Sequence, residues 1–150
     1  MQSNRDFRDL FLCLNEAGVK YLVVGAYAVI YHSEPRYTKD IDVWVEPTPE
    51  NARKVWQALV KFGAPLGDLT VDDLCNPDVL FQMGVIPNRI DIMMDVEGLR
   101  FAEAWEKRFA SMYDDQPIFV LSRDDTIIAK KTAGRDHDLL DVKRLKNVKR

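Results

Sequence analysis

Three aspartates stand inside apolar segments, where carboxylates could bind a cation. Asp40 and Asp42 are separated by one residue at the start of a strand predicted over 41–45, and Asp91 lies inside a strand predicted over 89–94. Because side chains alternate along a strand, Asp40 and Asp42 share one face. Two neighbouring carboxylates repel each other and are costly to desolvate, unless a divalent cation lies between them.

Pairing of these two strands would bring all three carboxylates together. Oxygen ligands from a few carboxylates, completed by phosphate and water, suit Mg²⁺. The alternative is that each aspartate faces solvent on a half-exposed strand. Taken together, Asp40, Asp42 and Asp91 favour a metal site.

Gly25 supplies a second feature, because it separates an apolar strand predicted over 21–24 from a helix predicted over 26–31. Free backbone N–H groups at a helix N-terminus attract anions. The alternative is a glycine that only makes a turn. A phosphate site close to a metal site is what phosphoryl or nucleotidyl transfer requires.

The remaining elements alternate between helices and strands. An apolar face predicts a helix over 4–17, and Thr48 followed by Pro49 predicts a helix from 49 to about 62. Ser122 and Asp125 match a capping box that begins a helix ending at Gly134. The other predicted elements are a short helix over 71–74, strands over 79–83 and 118–121, a helix after Gly98 to about 107, and a final helix from Asp136.

Length and composition agree with one α/β or α+β domain over residues 1–150. The chain has 150 residues, 47% of them hydrophobic and 30% charged, and a net charge of −3. This balance provides no overall basic field for binding nucleic acid. No apolar run is long enough to span a bilayer, and the first residues lack the order of a signal peptide, so we expect a cytoplasmic protein without a membrane partner.

The sequence resembles the nucleotidyltransferase superfamily. The resemblance is carried by three motifs in order: Val24-Gly25-Ala26 at a strand–helix turn, Asp40-Ile41-Asp42, and Ile90-Asp91-Ile92. The stretch from Gly25 to Asp42 and the pattern from Lys130 to Leu145 are similar to minimal bacterial nucleotidyltransferase-like proteins, including AbiE-type toxins. The resemblance implies a small mixed β-sheet flanked by helices, with further helices at the C-terminus.

It also implies roles for individual residues. Asp40 and Asp42 would hold two Mg²⁺ ions, and Asp91 would complete the site as a metal ligand or proton acceptor. An NTP, for example ATP, would then donate a nucleoside monophosphate to a hydroxyl of RNA, protein or a small molecule. The predicted nucleotide contacts are Gly25, Ala26, Lys130, Arg36 and Thr38; for Arg36 and Thr38, loop structure is the alternative.

Ala26 departs from the family pattern, which usually has Gly or Ser there. Alanine keeps the backbone donor but loses the serine hydroxyl, which favours an alternative function: a nucleotide-binding or protein-interaction module without catalysis, such as one half of a toxin–antitoxin pair. A homodimer or a partner protein could supply the acceptor site.

Overall fold

The computed structural model describes residues 4–33, 38–85 and 88–147. The helices are α1 (Arg5–Glu16), α2 (Gly25–His32), α3 (Pro49–Phe62), α4 (Phe101–Glu106), α5 (Arg123–Ala133) and α6 (Asp136–Lys146), with a 3₁₀ helix at Asp72–Cys75. The strands are β1 (Tyr21–Val24), β2 (Asp40–Val45), β3 (Leu80–Val85), β4 (Asn88–Met93), β5 (Phe109–Tyr113) and β6 (Gln116–Val120).

All six strands form one mixed sheet in the order β3-β4-β2-β1-β6-β5. Strand β2 is parallel to β4, and β1 is parallel to β6, whereas the three other neighbouring pairs are antiparallel. The mixed α/β class is therefore confirmed.

The sheet carries the main hydrophobic core. Strand β1 lies at its centre and all four of its residues are buried, which fits its uniformly apolar sequence. Phe11 of α1 stacks on Tyr21 with ring centroids 6.0 Å apart, and α1 packs beside α3. A separate small cluster joins α2 to α5 and α6; it consists of Val29, Ile127, Val142 and Leu145.

Most predicted boundaries agree with the structure to within a few residues. Thr48 caps α3 by accepting a hydrogen bond from the Asn51 N–H, and Gly63 ends the helix with a φ of 87°. Strand β5 was not predicted: it is an edge strand whose residues are mostly exposed, so it lacks the apolar signature of a buried strand. None of the described helices has the length and apolar character that crossing a bilayer requires.

Candidate active site

Asp42 and Asp91 lie side by side on adjacent strands. The parallel register of β2 and β4 places Asp42 opposite Asp91 and Asp40 opposite Arg89. Residues opposite each other in a sheet point to the same face, so the three aspartates share one face of the sheet. The predicted strand pairing is confirmed, and it builds the acidic part of the site from two strands that are distant in sequence.

This arrangement has an electrostatic cost that is visible in Asp42. Burial raises the pKa of this carboxyl, and the charges of Asp91 and Asp40 raise it further, to about 7. Lys130 opposes the shift. Asp91 is itself only 6% exposed, and its buried Oδ1 has no hydrogen-bond partner within the described chain. At Asp42, burial and the repulsion between carboxylates therefore outweigh the attraction of Lys130.

Arg89 is the cation closest to this pair on the sheet. Its Nε lies 3.1 Å from Asp91 Oδ1. The sequence analysis missed this residue, although the alternation along β4 puts positions 89 and 91 on one face and could have revealed it.

Gly25 brings the start of α2 directly against Asp42. Strand β1 ends at Val24, which is paired with Asp42, and the chain turns into α2 at Gly25 with a φ of 66°. A Cβ at position 25 would lie 2.8 Å from Asp42 Cγ, which is closer than side-chain atoms approach one another. Glycine is thus required both by the backbone conformation and by the neighbouring carboxylate.

A cavity of about 430 Å³ opens in front of these residues. One side is formed by the sheet and the start of α2, including Gly25, Ala26, Asp40, Asp42 and Arg89. The facing side comes from α5 and the helix that follows it, including Thr126, Lys130, Arg135, His137, Asp138 and Asp141. The structure therefore brings predicted residues Gly25, Ala26, Asp40, Asp42 and Lys130 to one cavity. Asp91 lies beside Asp42 on the neighbouring strand but does not line the cavity.

Lys130 is held in place by two carboxylates of α6. Its Nζ lies 3.2 Å from Asp138 Oδ1 and 3.3 Å from Asp141 Oδ2, and its side chain is 15% exposed. Asp138 is fully buried and also accepts hydrogen bonds from the backbone N–H and the guanidinium of Arg135. Burial alone would raise the pKa of Asp138, but the hydrogen bonds from Arg135 and Lys130 outweigh it and lower the pKa to about 2.

These two α6 aspartates were not among the predicted site residues. The signal that could have found them is their spacing, since residues three apart lie on the same helix face. Their contact with Lys130 depends on how α6 docks against α5, which no local pattern in the sequence specifies.

The other predicted contacts stand outside this group. Arg36 lies outside the described residues. Thr38 makes local bonds: its Oγ1 donates to the carbonyl of Asp40 and accepts from the Asp40 N–H. The structure thus gives Thr38 a role in the turn before β2.

Carboxylate oxygens are the donors that Mg²⁺ prefers. In residues 4–33, 38–85 and 88–147, however, no three His, Cys, Asp or Glu side chains are arranged to hold a metal ion. The described geometry is a close pair, Asp42 and Asp91, with Asp40 near enough to act on Asp42 through its charge.

Comparison with known proteins gives a consistent picture. Residues 7–149 match the model of a protein family described as "Nucleotidyltransferase of unknown function (DUF6036)". No curated protein matches the sequence significantly.

Three solved structures share the fold. A crystal structure of the lincosamide antibiotic adenylyltransferase LnuA with lincomycin bound is 15% identical, covers 98% of both chains and has a TM-score of 0.63. A putative nucleotidyltransferase from Thermotoga maritima, TM1012, is 16% identical over 95% of this chain and 91% of its own, with a TM-score of 0.62. The antibiotic-resistance factor ANT(2'')-Ia is 13% identical over 95% and 80%, with a TM-score of 0.59. At these identities the likeness establishes the fold alone, and it confirms the predicted fold. The family match over residues 7–149 confirms the predicted family resemblance.

Proposed function

We propose that this chain, which belongs to the family of nucleotidyltransferases of unknown function, moves a nucleoside monophosphate from an NTP to a hydroxyl group of an acceptor. The observation that carries the proposal is the pairing of Asp42 with Asp91 at a cavity whose facing wall presents Lys130. The carboxylates on the sheet would bind a divalent cation, and the ammonium group of Lys130 would contact a metal-bound triphosphate.

Mg²⁺ fits the residues of this site. The buried Oδ1 of Asp91 lacks a hydrogen-bond partner in the described structure, and the raised pKa of Asp42 reports carboxylates that repel each other. A divalent cation would relieve both. We propose that Asp42 and Asp91 hold the cation, with Asp40 as a further ligand. When bound, Mg²⁺ would supply charge neutralisation for the triphosphate and activation of the acceptor hydroxyl.

The chain's own groups have separate roles in this proposal. The backbone N–H groups of Gly25 and Ala26, at the start of α2, would bind terminal phosphate oxygens. Lys130 would offset negative charge on the triphosphate as the leaving pyrophosphate departs. The acceptor oxygen would bond to the α-phosphorus while the bond to the β-phosphate oxygen breaks. Asp91 would accept the hydroxyl proton or remain a metal ligand.

The experiment that tests this proposal measures transfer of a labelled nucleotide from each NTP to each class of acceptor. LnuA is described as an adenylyltransferase, so ATP is the first donor to test, followed by the other NTPs. Each labelled NTP would be incubated with Mg²⁺ and with cell RNA, protein extract, or lincosamide and aminoglycoside antibiotics as acceptors. We expect label transfer by the wild type and its loss in Asp42→Asn.

Asp78→Asn is the matched control, because Asp78 is an exposed aspartate outside the cavity. It should transfer label at the wild-type rate. Transfer that survives Asp42→Asn would refute the assigned role of the carboxylate pair. In parallel, calorimetry should give Mg²⁺-dependent NTP binding that is weaker in Asp40→Ala; equal affinity would contradict a metal role for Asp40.

A second candidate function rests on Ala26, which lines the cavity where the family usually has Gly or Ser. It is a module that binds a nucleotide or a partner protein without catalysis, such as one half of a toxin–antitoxin pair. NTP binding by calorimetry without transfer to any acceptor would favour this function. A co-transcribed regulator gene would point to the toxin–antitoxin case.

A further inference from the structure

Arg89 lies beside the acidic group on the sheet. It lies opposite Asp40 on β2 and two residues before Asp91 on β4, so it shares their face. The exposed fraction of its side chain is 37%, against 9% for the side chain of Asp91, and Arg89 lines the cavity whereas Asp91 does not. Arg89 is therefore the more accessible member of this ion pair.

The contact between these two residues is a charge attraction without a good hydrogen bond. Arg89 Nε is 3.1 Å from Asp91 Oδ1, yet both atoms are buried and neither has a hydrogen-bond partner among the described residues. A charged hydrogen bond of good geometry is much harder to replace than such a contact. Lys130, in comparison, is fixed by two carboxylates of α6. Arg89 is thus the more easily displaced cation.

We propose that Arg89 is an internal counter-ion of Asp91 that a divalent cation displaces, and that its released guanidinium then binds the phosphates of the nucleotide. This inference rests on the proposed function. The guanidinium and the divalent cation compete for Asp91, whereas the guanidinium and the triphosphate attract each other. One residue would therefore oppose binding of the cation alone and favour binding of the cation together with the nucleotide.

These two effects have opposite signs, which gives the proposal a distinctive test. In Arg89→Gln, the affinity for Mn²⁺ alone should rise about fivefold or more, because a competing ion pair is removed. The affinity for ATP in the presence of saturating Mn²⁺ should fall about fivefold or more, because a phosphate contact is lost. A residue with only a structural role would weaken both.

The experiment is calorimetric titration of the full chain, first with MnCl₂ and then with ATP at saturating Mn²⁺. Arg53→Gln is the matched control, because Arg53 is an exposed arginine of α3 and its loss changes the net charge equally. Arg89→Lys keeps the charge and should stay closer to the wild type than Arg89→Gln. Circular dichroism and urea unfolding would check that each variant folds; if Arg89→Gln does not fold, Arg89→Met is titrated in its place.

Each outcome decides a separate point. If Arg89→Gln and Arg53→Gln bind Mn²⁺ with equal affinity, the counter-ion role of Arg89 is overturned. It is also overturned if neither variant binds Mn²⁺. Tighter Mn²⁺ binding with unchanged ATP affinity overturns the phosphate contact. If Arg89→Gln binds Mn²⁺ more tightly, but neither the wild type nor any variant binds an NTP, the proposed function fails while the counter-ion role of Arg89 is supported.

Discussion

The carboxylate of Asp42 occupies the space that a side chain on Gly25 would need. A Cβ on Gly25 would lie 2.8 Å from Asp42 Cγ, and the backbone there has a φ of 66°. The turn into α2 and the acidic strand are therefore built around each other, and neither residue can change without affecting the other.

Gly25→Ala should destabilise the fold and disrupt the site together. The left-handed backbone costs an alanine about 1–2 kcal/mol, and the collision with Asp42 adds to this. Gly18→Ala is a close control, because Gly18 has a φ of 72° but nothing within 4 Å of an added Cβ. Urea unfolding should show a larger loss for Gly25→Ala than for Gly18→Ala, and calorimetry should show weaker NTP binding only for Gly25→Ala. Equal losses of stability would mean that the Asp42 side chain moves away from the added Cβ without a measurable loss of free energy.

Asp42 should make the unfolding free energy fall as pH rises. Burial and then the charges of Asp91 and Asp40 raise its pKa to about 7, from an ordinary value of 3.8. Between these two values the folded chain keeps a proton that the unfolded chain has released, so stability is fully present below about pH 4 and is lost as pH rises through about 7. Urea unfolding in EDTA at a series of pH values would measure this.

Asp42→Asn should remove that pH dependence. At pH 8 it should be more stable than the wild type by only about 2 kcal/mol, because solvent partly screens the repulsion that raises the pKa of Asp42. Asp78→Asn should keep the wild-type pH profile. If the unfolding free energy of Asp42→Asn changes with pH in the same way as that of the wild type, another group causes the pH dependence.

Asp138→Ala should lose both stability and nucleotide affinity. The substitution removes one of the two carboxylates that hold Lys130 in place at the cavity. Breaking a buried ion pair by removing one partner costs about 3 kcal/mol or more. Asp136→Ala, at an exposed position in the first turn of α6, should cost less than about 1 kcal/mol. Urea unfolding and calorimetry with ATP would compare the two variants. Similar losses in both would show that Lys130 does not depend on Asp138.

Asp138 should also contribute to the acid limit of the fold. Because its pKa is lowered to about 2, its stabilisation is present above about pH 4 and disappears as pH falls towards 2. Acid unfolding followed by circular dichroism should therefore be shifted to higher pH in Asp138→Asn. A midpoint identical to that of the wild type would contradict this.

Ala26→Ser should strengthen nucleotide binding. The hydroxyl would add a donor at the start of α2, on the cavity wall, and one hydrogen bond to a charged phosphate corresponds to about a fivefold gain in affinity. Ala102→Ser, on an exposed position of α4, should leave the affinity unchanged. Label transfer that appears only in Ala26→Ser would favour the module without catalysis as the function of the natural chain.

The sequence predicted those features that depend on local patterns, namely the faces of a strand and the ends of a capped helix. Alternation along β2 placed Asp40 and Asp42 on one face, and the cap residues fixed both ends of α3. Only one of the two hydrogen bonds of the predicted capping box at α5, whose residues the structure describes, is present. Ser122 accepts from the Asp125 N–H, but the Asp125 carboxylate pairs with Lys107, 2.9 Å away.

What the sequence did not predict depends on tertiary packing. Strand β5 exists through its pairing with β6 across a turn in which Asp114 takes a φ of 54°, and few of its residues are buried. The partners of Lys130 depend on the docking of α6. The role of Arg89 follows from the register of β2 with β4, which only the folded sheet defines.

The separation of the two hydrophobic clusters has a thermodynamic consequence. The carboxylates of the site stand on strands of the main core, whereas Lys130 stands on a helix pair that the small cluster of Val29, Ile127, Val142 and Leu145 fastens to α2. Opening of that helix pair would take Lys130 away from the carboxylates of the sheet and leave the sheet folded. The apparent affinity for an anionic ligand would therefore include the free energy of docking α5 and α6, and a ligand that contacts both the sheet and α5 would slow amide hydrogen exchange in α6.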